Sequence, residues 1–193
     1  MVASRRGTDH RRTGRHHWGA TVEEIDGAVV GDDICPDARL VATRCITIAA
    51  PPGEVFPWIR QMGFGRAGWY SWDLLDNLGR RSASEIHPEW QNVATGDSVP
   101  GGPIDFTAAI VDPPRSFVLM VGSRDDATRR LSFTLAYDLR DHPSGTRLVT
   151  RVRARIDVPG GRLLESCVLG PSDGFMLRRQ LRQLARRAAR HSP

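Results

Sequence analysis

The sequence predicts a single α+β domain: an antiparallel sheet of about six to seven strands wrapped around a long C-terminal helix, with short helices after the first strand. Three observations predict it. Leu131, Phe133, Leu135, Tyr137 and Leu139 alternate with smaller or polar residues, and Leu148, Thr150, Val152, Ala154 and Ile156 alternate against Arg147, Arg151, Arg153 and Arg155. Strict period-2 alternation belongs to antiparallel strands with one face buried and one face wet. Near the C-terminus the period changes. At ~100° per residue, Leu177, Leu181, Leu184 and Ala188 fall on one stripe, with Arg178, Arg179, Arg182, Arg186 and Arg190 on the opposite side. The apolar stripe needs a partner, and the inner face of the sheet is the only large apolar surface left for it. Each buried leucine contributes roughly 1.5–3 kcal/mol, so this docking is expected to be central to stability. A chain of 193 residues can bury a sizeable core as one domain.

The elements follow in order. Residues 1 to 17 form a basic, polar arm without apolar periodicity and are expected to be disordered. Arg5-Arg6 suggests a twin-arginine signal, but Gly7-Thr8-Asp9-His10 and no apolar stretch follow, so no signal peptide is expected. No run approaches the ~20 apolar residues that cross a bilayer, and the expected location is the cytoplasm. Residues 18 to 40 read as an N-terminal extension with one short helix, opened by the capping box Thr21-Val22-Glu23-Glu24. The main domain is expected over 41 to 193. A strand over 41 to 49 puts Thr43, Cys45 and Thr47 on one face and Arg44, Ile46 and Ile48 on the other. Pro51-Pro52-Gly53-Glu54 starts a helix whose Val55, Ile59 and Met62 share a face, and Gly63 stops it. Ser71 is a candidate N-cap for a short helix through Leu78, and 84 to 91 is read as another helix. Strands are then expected over 96 to 100, 105 to 111 and 116 to 121. The last two flank the turn Asp112-Pro113-Pro114-Arg115.

Composition excludes several function classes. Cys35, Cys45 and Cys167 form no CxxC pair, so neither a zinc site nor a redox motif is supported, and they read as core or surface thiols. His16-His17 sits in the arm, where ligands are not held in a closed geometry, so no metal and no cofactor is expected. No HExxH appears, and no Ser-His-Asp or Cys-His arrangement can be assembled. The net charge is +5 and all 27 basic residues are arginine, a bias that GC-rich codon usage explains by itself. Gly63-Phe64-Gly65-Arg66-Ala67-Gly68 spells GxGxxG but follows a helix and leads into aromatics. A dinucleotide site needs that loop after a strand and at the start of a helix. Here it reads as a glycine-rich connection that lets the chain pass close to other backbone.

Ile46-Thr47-Ile48-Ala49-Ala50-Pro51-Pro52-Gly53-Glu54-Val55-Phe56-Pro57-Trp58 resembles the "strand, A-P-x-x-V-W, helix" opening of the START-like (SRPBCC) superfamily. Val111 to Leu119 resembles that superfamily's hairpin around a P-P-R turn. The superfamily has the helix-grip fold and includes the birch pollen allergen, lipid-transfer domains and polyketide aromatase/cyclases. Gln61 to Asp73 and Asp76 to Arg80 look like an actinobacterial subgroup of it. The resemblance covers about residues 41 to 190. It implies a ligand cavity between sheet and terminal helix and carries over no catalytic residue.

The leading functional expectation is binding of a small hydrophobic or aromatic molecule, lipid or polyketide-like, in that cavity. Its expected contacts are Trp69, Tyr70, Trp72, Phe133, Tyr137, Thr150, Leu177 and Leu181. Aromatic bodies suit apolar ligands, and Tyr137 and Thr150 supply polar contacts on the inward faces of strands. The alternative is a cyclase or dehydratase using the same cavity, with Tyr70 and Asp73 as the candidate pair, since a phenol and a carboxylate can assist enolisation. The second alternative is binding of a polyanion, nucleic acid or anionic membrane, by the arm and the arginine side of the last helix. No base-reading motif is present.

Overall fold

The structure, a computed structural model, describes residues 17–121, 131–158 and 170–191. The predicted arm therefore lies almost wholly outside the described residues. Six antiparallel strands form one sheet: β1 (Leu40–Ile48), β2 (Ser98–Val99), β3 (Phe106–Asp112), β4 (Ser116–Val121), β5 (Leu131–His142) and β6 (Gly145–Ile156). Their order is β1-β6-β5-β4-β3-β2, so the first strand closes against the last. The helices are α1 (Val22–Asp26), α2 (Pro52–Arg60), α3 (Asp73–Asp76) and α4 (Gly170–His191). The predicted α+β class, the sheet and the long terminal helix are all present.

The inner face of the sheet carries the main core. Leu135, Tyr137, Leu139, Leu148 and Val152 pack there against Val55, Trp58, Ile59 and Met62 of the α2 region and Leu177, Leu181, Leu184 and Ala188 of α4. The helical stripe read from the sequence is fully buried. Pro52 stands at the start of α2, where its missing N–H costs nothing, and the helix ends at Arg60, three residues before Gly63.

The outer face differs from expectation. Alternation predicts it to be wet, yet Cys45, Val118, Met120, Ala136 and Val149 are buried under Val29 and Ile34 of the N-terminal extension. The outward arginines of β6 hold the extension in place. Arg151 spends all five guanidinium donors: on Thr43 Oγ1, the carbonyls of Gly27, Glu24 and Ile25, and Asp32 Oδ2 at 2.7 Å. Arg153 donates to the carbonyls of Cys35 and Pro36, and Arg147 to Gly19 O and the Glu24 carboxylate. The arginine–glutamate pair holds the Glu24 carboxyl down at about 2, and burial pushes the Cys45 thiol up to about 12. The capping box of α1 forms as expected: Thr21 and Glu24 exchange side-chain bonds to each other's N–H. Residue 18 adds a short parallel bridge beside Arg44 of β1.

Two local expectations are corrected. Ser71 does not cap α3, which starts at Asp73 with Trp72 at the cap position and no side-chain cap bond. The Ser71 carbonyl accepts a 2.6 Å bond from Arg179 on α4, and its hydroxyl is buried without a hydrogen-bond partner among the described residues. The helix expected over 84 to 91 shrinks to a single 3-10 turn, Pro88–Trp90. Gln61 takes up the backbone that a helix would have used, accepting from His87 N–H at 3.0 Å and donating to Glu85 O at 3.1 Å.

Candidate functional site

A row of polar side chains crosses the inner face under α4. In antiparallel sheets, residues directly opposite each other share a face. Arg44 of β1 lies opposite Thr150 of β6, and Thr150 lies opposite Tyr137 of β5. Their exposures are 1%, 0% and 0%. The Tyr137 hydroxyl donates to Gln180 Oε1 at 2.8 Å, and Gln180 Nε2 donates to the Trp69 carbonyl at 2.9 Å and to Met62 Sδ at 3.5 Å. Gln180 thereby ties α4 to the sheet and to the loop after α2. Thr150 Oγ1 is buried with no protein hydrogen-bond partner among the described residues.

Toward one end of this face stands a set of aromatic rings. Trp69 from the loop meets Phe106 of β3 edge-on at 5.5 Å, and Phe106 lies 6.0 Å from Phe133 of β5. Phe106 and Phe133 are half-buried, so the set reaches from core to surface. Trp72 lies elsewhere, stacked on exposed Phe175 at 5.3 Å and beneath the Arg179 guanidinium at 4.1 Å. Leu177 and Leu181 are buried in the stripe that meets the inner face.

Tyr70 is buried and adopts φ +54, a left-handed conformation that is unfavourable for a bulky residue. Its ring packs edge-on against Trp58 and beneath the Arg187 guanidinium, and its hydroxyl accepts from Gln61 Nε2 at 2.7 Å. Burial pushes the phenol well above its ordinary value. Asp73 accepts from the N–H and hydroxyl of Ser82, and Ser82 Oγ in turn accepts from Tyr70 N–H. Ser82 thus links the Asp73 carboxylate to the Tyr70 backbone, while the Tyr70 hydroxyl is held by Gln61. Gly68, at φ +74, lets Ser82 approach: a Cβ there would lie 2.6 Å from its Oγ. The GxGxxG segment closes on itself through reciprocal backbone bonds of Gly63 and Gly68, which fits the tight connection read from the sequence.

Arg44, Gln180 and Phe106 were not among the site residues expected from sequence. Alternation already placed Arg44 beside Ile46 and Ile48. Gln180 stands three residues after Leu177 and four before Leu184, so helical spacing carried its signal too. Phe106 had no comparable signal, because its neighbours come from distant segments. Among the described residues, no three His, Cys, Asp or Glu side chains gather as a metal site needs.

The sheet order, the terminal helix packed on the inner face and the short helices after β1 define a helix-grip fold. A solved structure agrees. The di-domain ARO/CYC StfQ from the steffimycin biosynthetic pathway matches with a TM-score of 0.50 at 11% identity, over 81% of this chain and 52% of that one. This chain thus spans about half of that two-domain protein. A Mesorhizobium loti protein matches with a TM-score of 0.48 at 15% identity, over 80% of this chain and 100% of that one. A polyketide-cyclase-like protein of Corynebacterium glutamicum matches with a TM-score of 0.36 at 16% identity, over 75% and 80% of the two chains. No family model and no curated protein matches the sequence. At 11% identity the likeness to StfQ is one of fold alone.

Proposed function

We propose that this protein binds a small hydrophobic or aromatic molecule between the inner face of the sheet and the terminal helix. The observation that carries this reading is the aromatic set Trp69, Phe106 and Phe133, which runs from the surface toward a polar row inside the core. An apolar wall with a few placed polar groups is the usual composition of a small-molecule site. Trp69, Phe133, Leu177 and Leu181 supply the apolar contacts, and Tyr137 and Thr150 the polar ones. The ARO/CYC neighbour motivates an enzymatic version in which the Tyr70 hydroxyl, held by Gln61 Nε2, is the candidate acid. Asp73, bonded to Ser82, would be the candidate base.

The test is titration with the neutral dye N-phenyl-1-naphthylamine, whose fluorescence rises in apolar surroundings. Saturable binding at one dye per chain is expected, weakened about tenfold by Phe133→Asp, since a charge replaces an apolar contact. Absence of saturable binding to the folded protein overturns the reading. Turnover of a poly-β-keto thioester that disappears in Tyr70→Phe while dye affinity is retained would establish the enzymatic version, and turnover unaffected by that change would remove Tyr70 from it.

A further inference from the structure

We propose that the outer side of α4 and the adjoining α3 segment form a docking surface for an anionic phospholipid bilayer. Leu74, Leu78, Trp72 and Phe175 enter the interface, and arginines of α4 lie on the lipid phosphates. The inference does not depend on the ligand-site reading. Leu74 and Leu78 are each 77% exposed and Phe175 is 61% exposed. They stand together. Phe175, near the start of α4, stacks on Trp72, which directly precedes α3. Leu74 follows on α3, and its Cδ1 would lie 3.9 Å from a Cβ on Gly79, beside Leu78. Leu78 is held at φ +49, a left-handed conformation that is unfavourable for a residue other than glycine. Strain that keeps a leucine in solvent points to a function at that place. Scattered exposed apolar residues need no explanation, whereas gathered ones mark an interaction site.

Charge identifies what covers this surface. From Gly174 to Pro193 the chain carries six arginines and no Asp or Glu. At ~100° per residue, Phe175, Arg179, Arg182 and Arg186 fall within about 40° of one line along α4. All four are exposed, so an apolar end continues into a cationic track roughly 16 Å long. Arg179 joins the two parts, since its guanidinium lies 4.1 Å from the centre of the Trp72 ring. Around α3 the charges cancel: Asp73 and Asp76 match exposed Arg80 and Arg81 in number, and the Asp73 carboxylate is taken up by Ser82. The surplus therefore comes from α4. The complementary surface must offer negative charge with apolar material just beneath it. An anionic bilayer does both, whereas a nucleic acid presents phosphates with no apolar layer for Leu74 and Leu78. Guanidiniums beside an anionic leaflet are attracted to it, and Trp, Phe and Leu side chains settle at the boundary of headgroup and acyl chain.

The experiment is flotation of the full chain with vesicles of equal parts phosphatidylglycerol and phosphatidylcholine, and with vesicles of phosphatidylcholine alone. Binding to the anionic vesicles is expected to be at least about tenfold tighter and to weaken as salt is added. Leu74→Ser combined with Leu78→Ser should weaken it about tenfold, and Phe175→Ser about fivefold. Both variants should keep the parental melting temperature, because the positions are exposed. Arg182→Gln combined with Arg186→Gln should weaken binding about 25-fold and flatten its salt dependence. Equal binding to the two kinds of vesicle, or no binding to the anionic ones at low salt, overturns the inference. So does vesicle binding that the leucine and phenylalanine variants leave unchanged, because charge alone would then account for it. Duplex DNA bound more tightly than the anionic vesicles, by parent and leucine variant alike, assigns the surface to nucleic acid instead. If the leucine variant lowers the melting temperature, Phe175→Ser decides the apolar part by itself. Binding of N-phenyl-1-naphthylamine without vesicles should be the same in all these variants, so this inference and the ligand-site reading fail separately.

Discussion

Arg147 grips the Glu24 carboxylate with two hydrogen bonds of 2.7 and 2.8 Å, and both side chains are mostly shielded from solvent. The glutamate's folded value, about 2, lies below its ordinary value of 4.5, with the arginine hydrogen bond as the largest cause. As pH falls, the unfolded chain takes up the proton first. The pair's stabilisation is therefore fully present above about pH 4.5 and is lost as pH falls toward 2. Glu24→Gln should destabilise the protein by about 1–2 kcal/mol at pH 7, and should flatten the loss of stability between those two pH values. Urea unfolding across that range checks it, and equal slopes for variant and parent would refute the linkage. The capping box was legible in the sequence because its partners are three residues apart. The grip of Arg147 on the same glutamate was not, because the partners are separated by more than a hundred positions.

At the level of elements, α4 shows how far periodicity reaches. Leu177, Leu181, Leu184 and Ala188 are buried as their spacing requires, and Arg182, Arg186 and Arg190 are exposed. Leu181→Ala removes atoms from a fully buried position between helix and sheet. It should cost about 2–5 kcal/mol, read as a lower denaturant midpoint with unchanged slope; an unchanged midpoint would refute this packing. The flanks of the helix escaped the pattern. Gln180 enters the core with its polar groups satisfied, and Arg178 and Arg182 stand over the Trp18 ring at 5.9 and 5.2 Å. The segment after α2 was harder still. Ser71 has the chemistry of a helix cap, and 84 to 91 has an acceptable helical composition, yet Arg179 and Gln61 bind their backbone groups instead. Local propensity yields where a tertiary hydrogen bond offers the same backbone a partner.

Across the whole molecule, the sheet is covered on both sides, by α2 and α4 within and by the N-terminal extension without. Arg151, 3% exposed, is the bolt of the outer layer. Arg151→Met would leave Asp32 and three carbonyls without their shared donor, at a cost of about 3–5 kcal/mol. The extension should then become sensitive to limited proteolysis between α1 and β1 before the sheet unfolds; cleavage at the parental rate would show that Arg151 does not hold it. Part of the arginine excess, which codon bias explains as composition, is spent on carbonyls and carboxylates, as Arg147, Arg151 and Arg153 show in holding the extension. Strand alternation, the helical stripe, the capping box and the turn residues determined the fold class and the membership of the inner core, because each depends on neighbours along the chain. Only the tertiary structure decided that the centre of the outer face is dry, that Ser82 joins Asp73 to the Tyr70 backbone while Gln61 takes the Tyr70 hydroxyl, and that Arg44, Thr150 and Tyr137 stand in one row. Those outcomes depend on which distant segments come to lie side by side, and a period in the sequence records the face on which a residue sits but not what it will meet there.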